Sequence, residues 1–76
     1  MNKKEKKKEI NEIIEVVLLG IPKEIAASKF YKSAAQKTTS TKAKNLFNRL
    51  SEQERGHEAV LRKILNELQE ELAEIS

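Results

Sequence analysis

A chain of 76 residues carrying 15 basic and 12 acidic side chains has room for one small domain, and a core of that size is marginally stable without a metal, a disulfide or a partner. The absence of cysteine excludes disulfides, thiolate zinc sites and a rubredoxin-type iron centre. The formal charge of +3 resides in a lysine run at the N-terminus, and the three aromatics, Phe30, Tyr31 and Phe47, are too few for a base-stacking platform.

Residues 1–9 hold Lys3, Lys4, Lys6, Lys7 and Lys8 and are expected to be a solvated, frayed helix start, with no nucleic-acid role. All twelve acidic residues are glutamate, which together with Lys, Leu, Ile and Ala favours long helices. No segment approaches the ~20 apolar residues of a membrane span. Residues 13–21 are a short apolar run that contains Glu15 and lacks a cleavage site, so neither membrane association nor export is expected. The expected location is the cytoplasm.

The first arm is interrupted at Gly20-Ile21-Pro22. Proline lacks a backbone donor and crowds the preceding turn, so a kink or break is expected, and a break with Pro22 opening a second helix is the favoured form. Thr38-Thr39-Ser40-Thr41 is a cluster of turn-forming residues, with Ser40 or Thr41 able to cap the next helix. Ile10, Ile14, Val17 and Ile21 continue in steps of four and three to Glu24, Ser28, Tyr31 and Ala35. Beyond the turn, Ala43, Phe47, Leu50, Leu61, Ile64 and Leu68 define a stripe that also contains Glu54 and His57. The fold class is all-α: residues 1–76 form one antiparallel helical hairpin. With one seam and nothing else to bury it against, the hairpin is expected to dimerise into a four-helix bundle.

Glu24, Glu54 and His57 are ionisable residues on otherwise apolar stripes, and such groups need a compensating partner or a cation. Glu54 and His57 are spaced i, i+3 on one helix face. Glu24 lies as far before the turn as they lie after it, so all three fall at one level of an antiparallel hairpin. Two carboxylates and an imidazole suit iron, manganese or zinc. Two copies supply four Glu and two His, the ligand inventory of di-iron carboxylate bundles, whose −4 charge two divalent ions neutralise. Tyr31, two turns from Glu24, could hydrogen-bond a ligand carboxylate or simply pack. The competing reading is a non-enzymatic assembly or scaffold bundle in which Glu54 and His57 are hydrogen-bonded across the core.

The stretch from Glu24 through Phe30-Tyr31 to Ala34-Ala35, followed by Glu54-Arg55-Gly56-His57, resembles the two ligand helices of the rubrerythrin-like branch of the ferritin superfamily, over roughly residues 13–68. Ordinary members carry two such hairpins in one chain. A single hairpin is similar to the encapsulated ferritins, in which the site forms across a subunit interface. The resemblance implies a ferritin-like bundle and a ferroxidase that oxidises Fe(II) for iron storage. It implies a di-iron centre of two ions per dimer, with manganese or zinc as substitutes. Glu24, Glu54 and His57 would be the ligands and Tyr31 the adjacent tyrosine. It further implies a homodimer, a ring-like oligomer (commonly a decamer) and an encapsulin shell as partner, with the protein inside that nanocompartment. The acidic residues that flank the ligand glutamate in that family correspond here to Lys23 and Ala26.

Overall fold

A computed structural model describes residues 2–75 as two helices, α1 (Lys3–Lys37) and α2 (Thr41–Ile75), which pack antiparallel. Thirty-five residues rise about 52 Å, and the hairpin measures 57 × 15 × 14 Å. Asn2 caps α1 by accepting the Glu5 amide at 2.9 Å. The turn needs no left-handed residue among those described. Thr38 is extended, its hydroxyl accepts the Ser40 amide at 3.2 Å, and the Ser40 hydroxyl accepts the Ala43 amide at 3.2 Å, capping α2.

The break favoured at Gly20-Ile21-Pro22 is not formed, because α1 runs through Pro22 to Lys37. Pro22 is exposed, so the carbonyl it leaves without a helical donor can turn to water. Val17 and Ile21 before it and Ser28 after it are buried on the same seam, which holds both halves in line. Gly20 sits where a Cβ would come within 3.3 Å of the Leu61 side chain, so its lack of a side chain lets that leucine pack against α1.

The α1 stripe is the buried one: Ile10, Ile14, Val17, Ile21, Ser28 and Ala35 are buried, with Glu24 and Tyr31 half-buried in the same series. In α2 the seam takes a slightly different set. Ser51 is buried and Glu54, Glu58, Leu61, Leu65 and Leu68 are half-buried, whereas His57 and Ile64 are exposed. Two four-three registers share Phe47, Glu54, Leu61 and Leu68 and differ by one residue between them. The α1 partner occupies the one through Ser51, Glu58 and Leu65, leaving Leu50, His57 and Ile64 on the flank.

Charge follows the same antiparallel logic. Lys6 lies 3.9 Å from Glu71, so the lysine-rich start of α1 meets the glutamates closing α2, a solvent-exposed contact worth little by itself. Among the described residues, no helix is long and apolar enough to cross a membrane. Gly56 lies inside α2, and a Cβ there meets open space. Glycine costs a helix interior about 0.5–1 kcal/mol relative to alanine, so Gly56→Ala is expected to raise unfolding free energy by about that much in a urea titration.

Candidate metal centre

Midway along the hairpin the two helices bring together the three residues singled out by sequence. One ligand atom from each of Glu24, Glu54 and His57 lies within 4.8 Å of the other two. His57 Nδ1 stands 3.5 Å from Glu24 Oε2 and 3.6 Å from Glu54 Oε2. Oxygen and nitrogen ligands about 2.1 Å from a shared ion lie about 3.0–3.5 Å apart at octahedral to tetrahedral angles, so the two spacings from His57 are close to those around one cation. The carboxylates are 26% and 22% exposed, whereas the imidazole is 63% exposed on the edge of the hairpin.

Glu24 Oε2 is the atom that most needs a ligand. It is buried with no hydrogen-bond partner; its approach to His57 is at ion-pair distance without hydrogen-bond alignment. The Glu24 carboxyl is held above its ordinary value of 4.5, first because its protonated form can hydrogen-bond the adjacent Glu54 carboxylate, then because of burial and the Glu54 charge. His57 opposes the shift. A divalent cation would satisfy the orphaned oxygen and remove the repulsion together, so the donor set fits a metal. Glu58, next to His57 in sequence, is committed elsewhere: its carboxylate accepts from Arg62 at 2.8 Å.

The raised carboxyl fixes the sign of a pH effect. Its contribution to stability is complete below 4.5 and fades as pH rises through the raised value. The metal-free hairpin is expected to lose stability from pH 4.5 upward, and Glu24→Gln to flatten that slope. Thermal melts of both proteins across this range, with chelator present, check the difference.

Two turns along α1 from Glu24, Tyr31 is held between aromatics. Its ring stacks on Phe47 with centroids 6.4 Å apart and meets Phe30 edge-on at 5.5 Å. The next level of the seam is polar and buried. The Ser28 hydroxyl donates to the Ser51 carbonyl at 3.1 Å and the Ser51 hydroxyl to the Ser28 carbonyl at 2.9 Å, with the two Oγ atoms 2.9 Å apart. Ser51 escaped the sequence reading. Its signal was its place, about as far from the turn as Ser28.

With this geometry in view, the family model described as Rubrerythrin matches residues 3–76. The chain belongs to the rubrerythrin family. The match spans both helices of the hairpin and includes Glu24, Glu54 and His57. No curated protein and no solved structure gives a match. Membership in the rubrerythrin family makes this a ferritin-like chain and implies iron binding. In such a chain the Glu24–Glu54–His57 group is the candidate ligand set.

Proposed function

We propose that two copies of the hairpin pair through the edge bearing His57 and close a di-iron ferroxidase site between them. The observation that carries this reading is the convergence of Glu24, Glu54 and His57 within 4.8 Å around a buried, unpartnered oxygen. Each copy contributes half a ligand set. Pairing would bring four carboxylates and two imidazoles around two Fe(II) substrate ions, whose two electrons, with two protons from solvent, would reduce dioxygen to hydrogen peroxide or hydrogen peroxide to water, the ions leaving as Fe(III) for storage. The carboxylates would neutralise and hold the ions, His57 would supply the nitrogen ligand, and Tyr31, the adjacent tyrosine of the resemblance, would orient a carboxylate.

The surface supports pairing. A compact monomer of 8.7 kDa exposes about 4,700 Å², whereas this hairpin exposes 5899 Å². The excess exceeds the ~800 Å² per partner that a standard interface covers. Val60 and Ile64 flank His57 on α2, Leu46 continues that line, and Ile13 lies on the Glu24 side of α1; all are exposed. The exposed large apolar side chains run from Ile13 to Phe30 on α1 and from Leu46 to Ile64 on α2, spans centred near the level of the cluster.

A two-fold axis through the cluster, perpendicular to the hairpin, superposes that apolar zone on itself. The partners then run antiparallel. Glu24 is 21 residues from the start of α1 and 13 from its end, so each charged end overhangs the partner's turn by about 12 Å. This accounts for the placement of the lysine run and its opposing glutamates outside the apolar zone. Higher rings and an encapsulin shell, which the resemblance implies, would add to this unit without altering the site.

The test is anaerobic loading with Fe(II) followed by admission of oxygen. The expected result is Fe(III) formation faster than in protein-free buffer, with a fast first phase of about one iron per chain followed by slower turnover. Oxidation at the protein-free rate would contradict the proposal and leave a metal-free scaffold.

A further inference from the structure

We propose that Ser28 and Ser51 are positioning residues for the metal centre: their reciprocal clasp fixes the axial register of α1 against α2, and that register brings Glu24 level with Glu54 and His57. The inference rests on the metal-binding reading of the site and names residues on which that reading is silent.

The apolar seam does not set the register with comparable sharpness. Ile10, Ile14, Val17 and Ile21 face a series of leucines, Leu61, Leu65, Leu68 and Leu72, all of similar size and repeating in steps of four and three. Sliding one helix by a turn exchanges one such contact for another. The turn at residues 38–40 limits gross displacement, but Glu24 lies 13 residues before the end of α1, about 20 Å from it.

The serine contacts are directional. Each hydroxyl donates to the opposite carbonyl, at 3.1 and 2.9 Å, and both residues are buried, at 7% and 4% exposure. A slip would break both interhelical bonds and leave each buried hydroxyl only the less favourable bond to its own helix, a loss no alternative apolar contact returns. Ser28 is one turn after Glu24 and Ser51 one turn before Glu54, so the clasp sits directly beside the site. Displacement by one turn would carry Glu24 about 5.4 Å along the axis, more than the 4.8 Å within which the three ligand atoms gather. The small side chains also let the backbones approach closely enough for the carboxylates to meet.

The test uses the full chain, Mn(II) as probe and the electron paramagnetic resonance of free Mn(II) as readout, with helix content and melting temperature recorded alongside. Ser28→Ala combined with Ser51→Ala keeps helix propensity and is expected to weaken Mn(II) affinity 10–100-fold while the chain stays helical. If that pair does not fold, Ser51→Ala alone takes its place with the same expectation. The chain has no cysteine of its own, and the serine Oγ atoms are 2.9 Å apart. Ser28→Cys with Ser51→Cys brings two thiols close together, and the form whose disulfide is closed, as shown by loss of both free thiols, replaces the clasp by a covalent lock and is expected to recover wild-type affinity. Wild-type affinity in the alanine variant would overturn the positioning role, as would failure of the lock to recover what alanine loses. Failure of the wild-type chain to bind Mn(II) would overturn the metal reading, and the inference with it.

Discussion

Glu54→Ala and His57→Ala are each expected to reduce iron oxidation to the rate of iron in buffer, a loss of at least about 100-fold, and to abolish stabilisation by metal. Both side chains project from one face of α2 toward Glu24, with the imidazole nitrogen 3.5–3.6 Å from both carboxylates. Removing either leaves two donors per chain, too few to hold a cation against water. The signature lies in the pairing of effects. The metal-free Glu54→Ala variant should be no less stable than the wild type, because loss of Glu54 removes the main cause of the raised Glu24 carboxyl, whereas metal-free His57→Ala should be slightly less stable, because it loses the group that opposes that shift. Metal present at 100 times its dissociation constant stabilises the wild type by about 2.7 kcal/mol and leaves the variants unchanged. Melting curves with and without Fe(II) under anaerobic conditions read both arms.

The second large effect concerns the edge of the hairpin. Val60→Glu together with Ile64→Glu is expected to halve the native mass and to remove metal binding, although every ligand remains in place. Val60 is 57% and Ile64 36% exposed in the single hairpin. Pairing across a two-fold would bury both from each copy, so the variant confronts the interface with four carboxylates. Burying one such apolar side chain contributes about 1.5–3 kcal/mol, and an unpaired buried charge opposes it more strongly. Leu19→Glu is the matched control. Leu19 is 68% exposed and stands two residues from both Val17 and Ile21, on the outer side of α1. It is expected to leave the pairing of hairpins at the site unchanged. Sedimentation of the three proteins, with Mn(II) binding measured on the same samples, separates loss of pairing from loss of ligands.

How far the sequence spoke for itself differs from element to element. The hairpin was legible because Thr38 to Thr41 is the chain's one cluster of capping residues and the flanking arms keep apolar steps of four and three. The α1 stripe was read residue for residue, from Ile10 to Ala35. Pro22 misled because a local rule about one missing donor was set against many seam contacts on either side, and in this helix the seam prevails. In α2 the pattern was ambiguous, since Phe47, Glu54, Leu61 and Leu68 belong to two registers. Composition does not reveal which of them the partner helix takes. The common level of Glu24, Glu54 and His57 followed from their equal offsets from the turn. The exposure of His57 did not, because it depends on the choice of register. Ser51 reads as a surface residue by type, and only its reciprocal bonds to Ser28 explain its burial.

The stability of the isolated hairpin points the same way as its chemistry. Among the described residues α2 contributes no buried apolar side chain, and none in either helix falls below 2% exposure. A unit so thinly covered gains from both a partner and a cation, and the geometry puts the two at one place.

Native mass spectrometry of the chain after anaerobic Fe(II) loading tests the central claim most directly. The expected species is a dimer, alone or within a multiple of it, carrying two iron ions per pair of chains, with pairing weakened when iron is stripped. Monomers without iron, or dimers whose mass and abundance ignore iron, would contradict it.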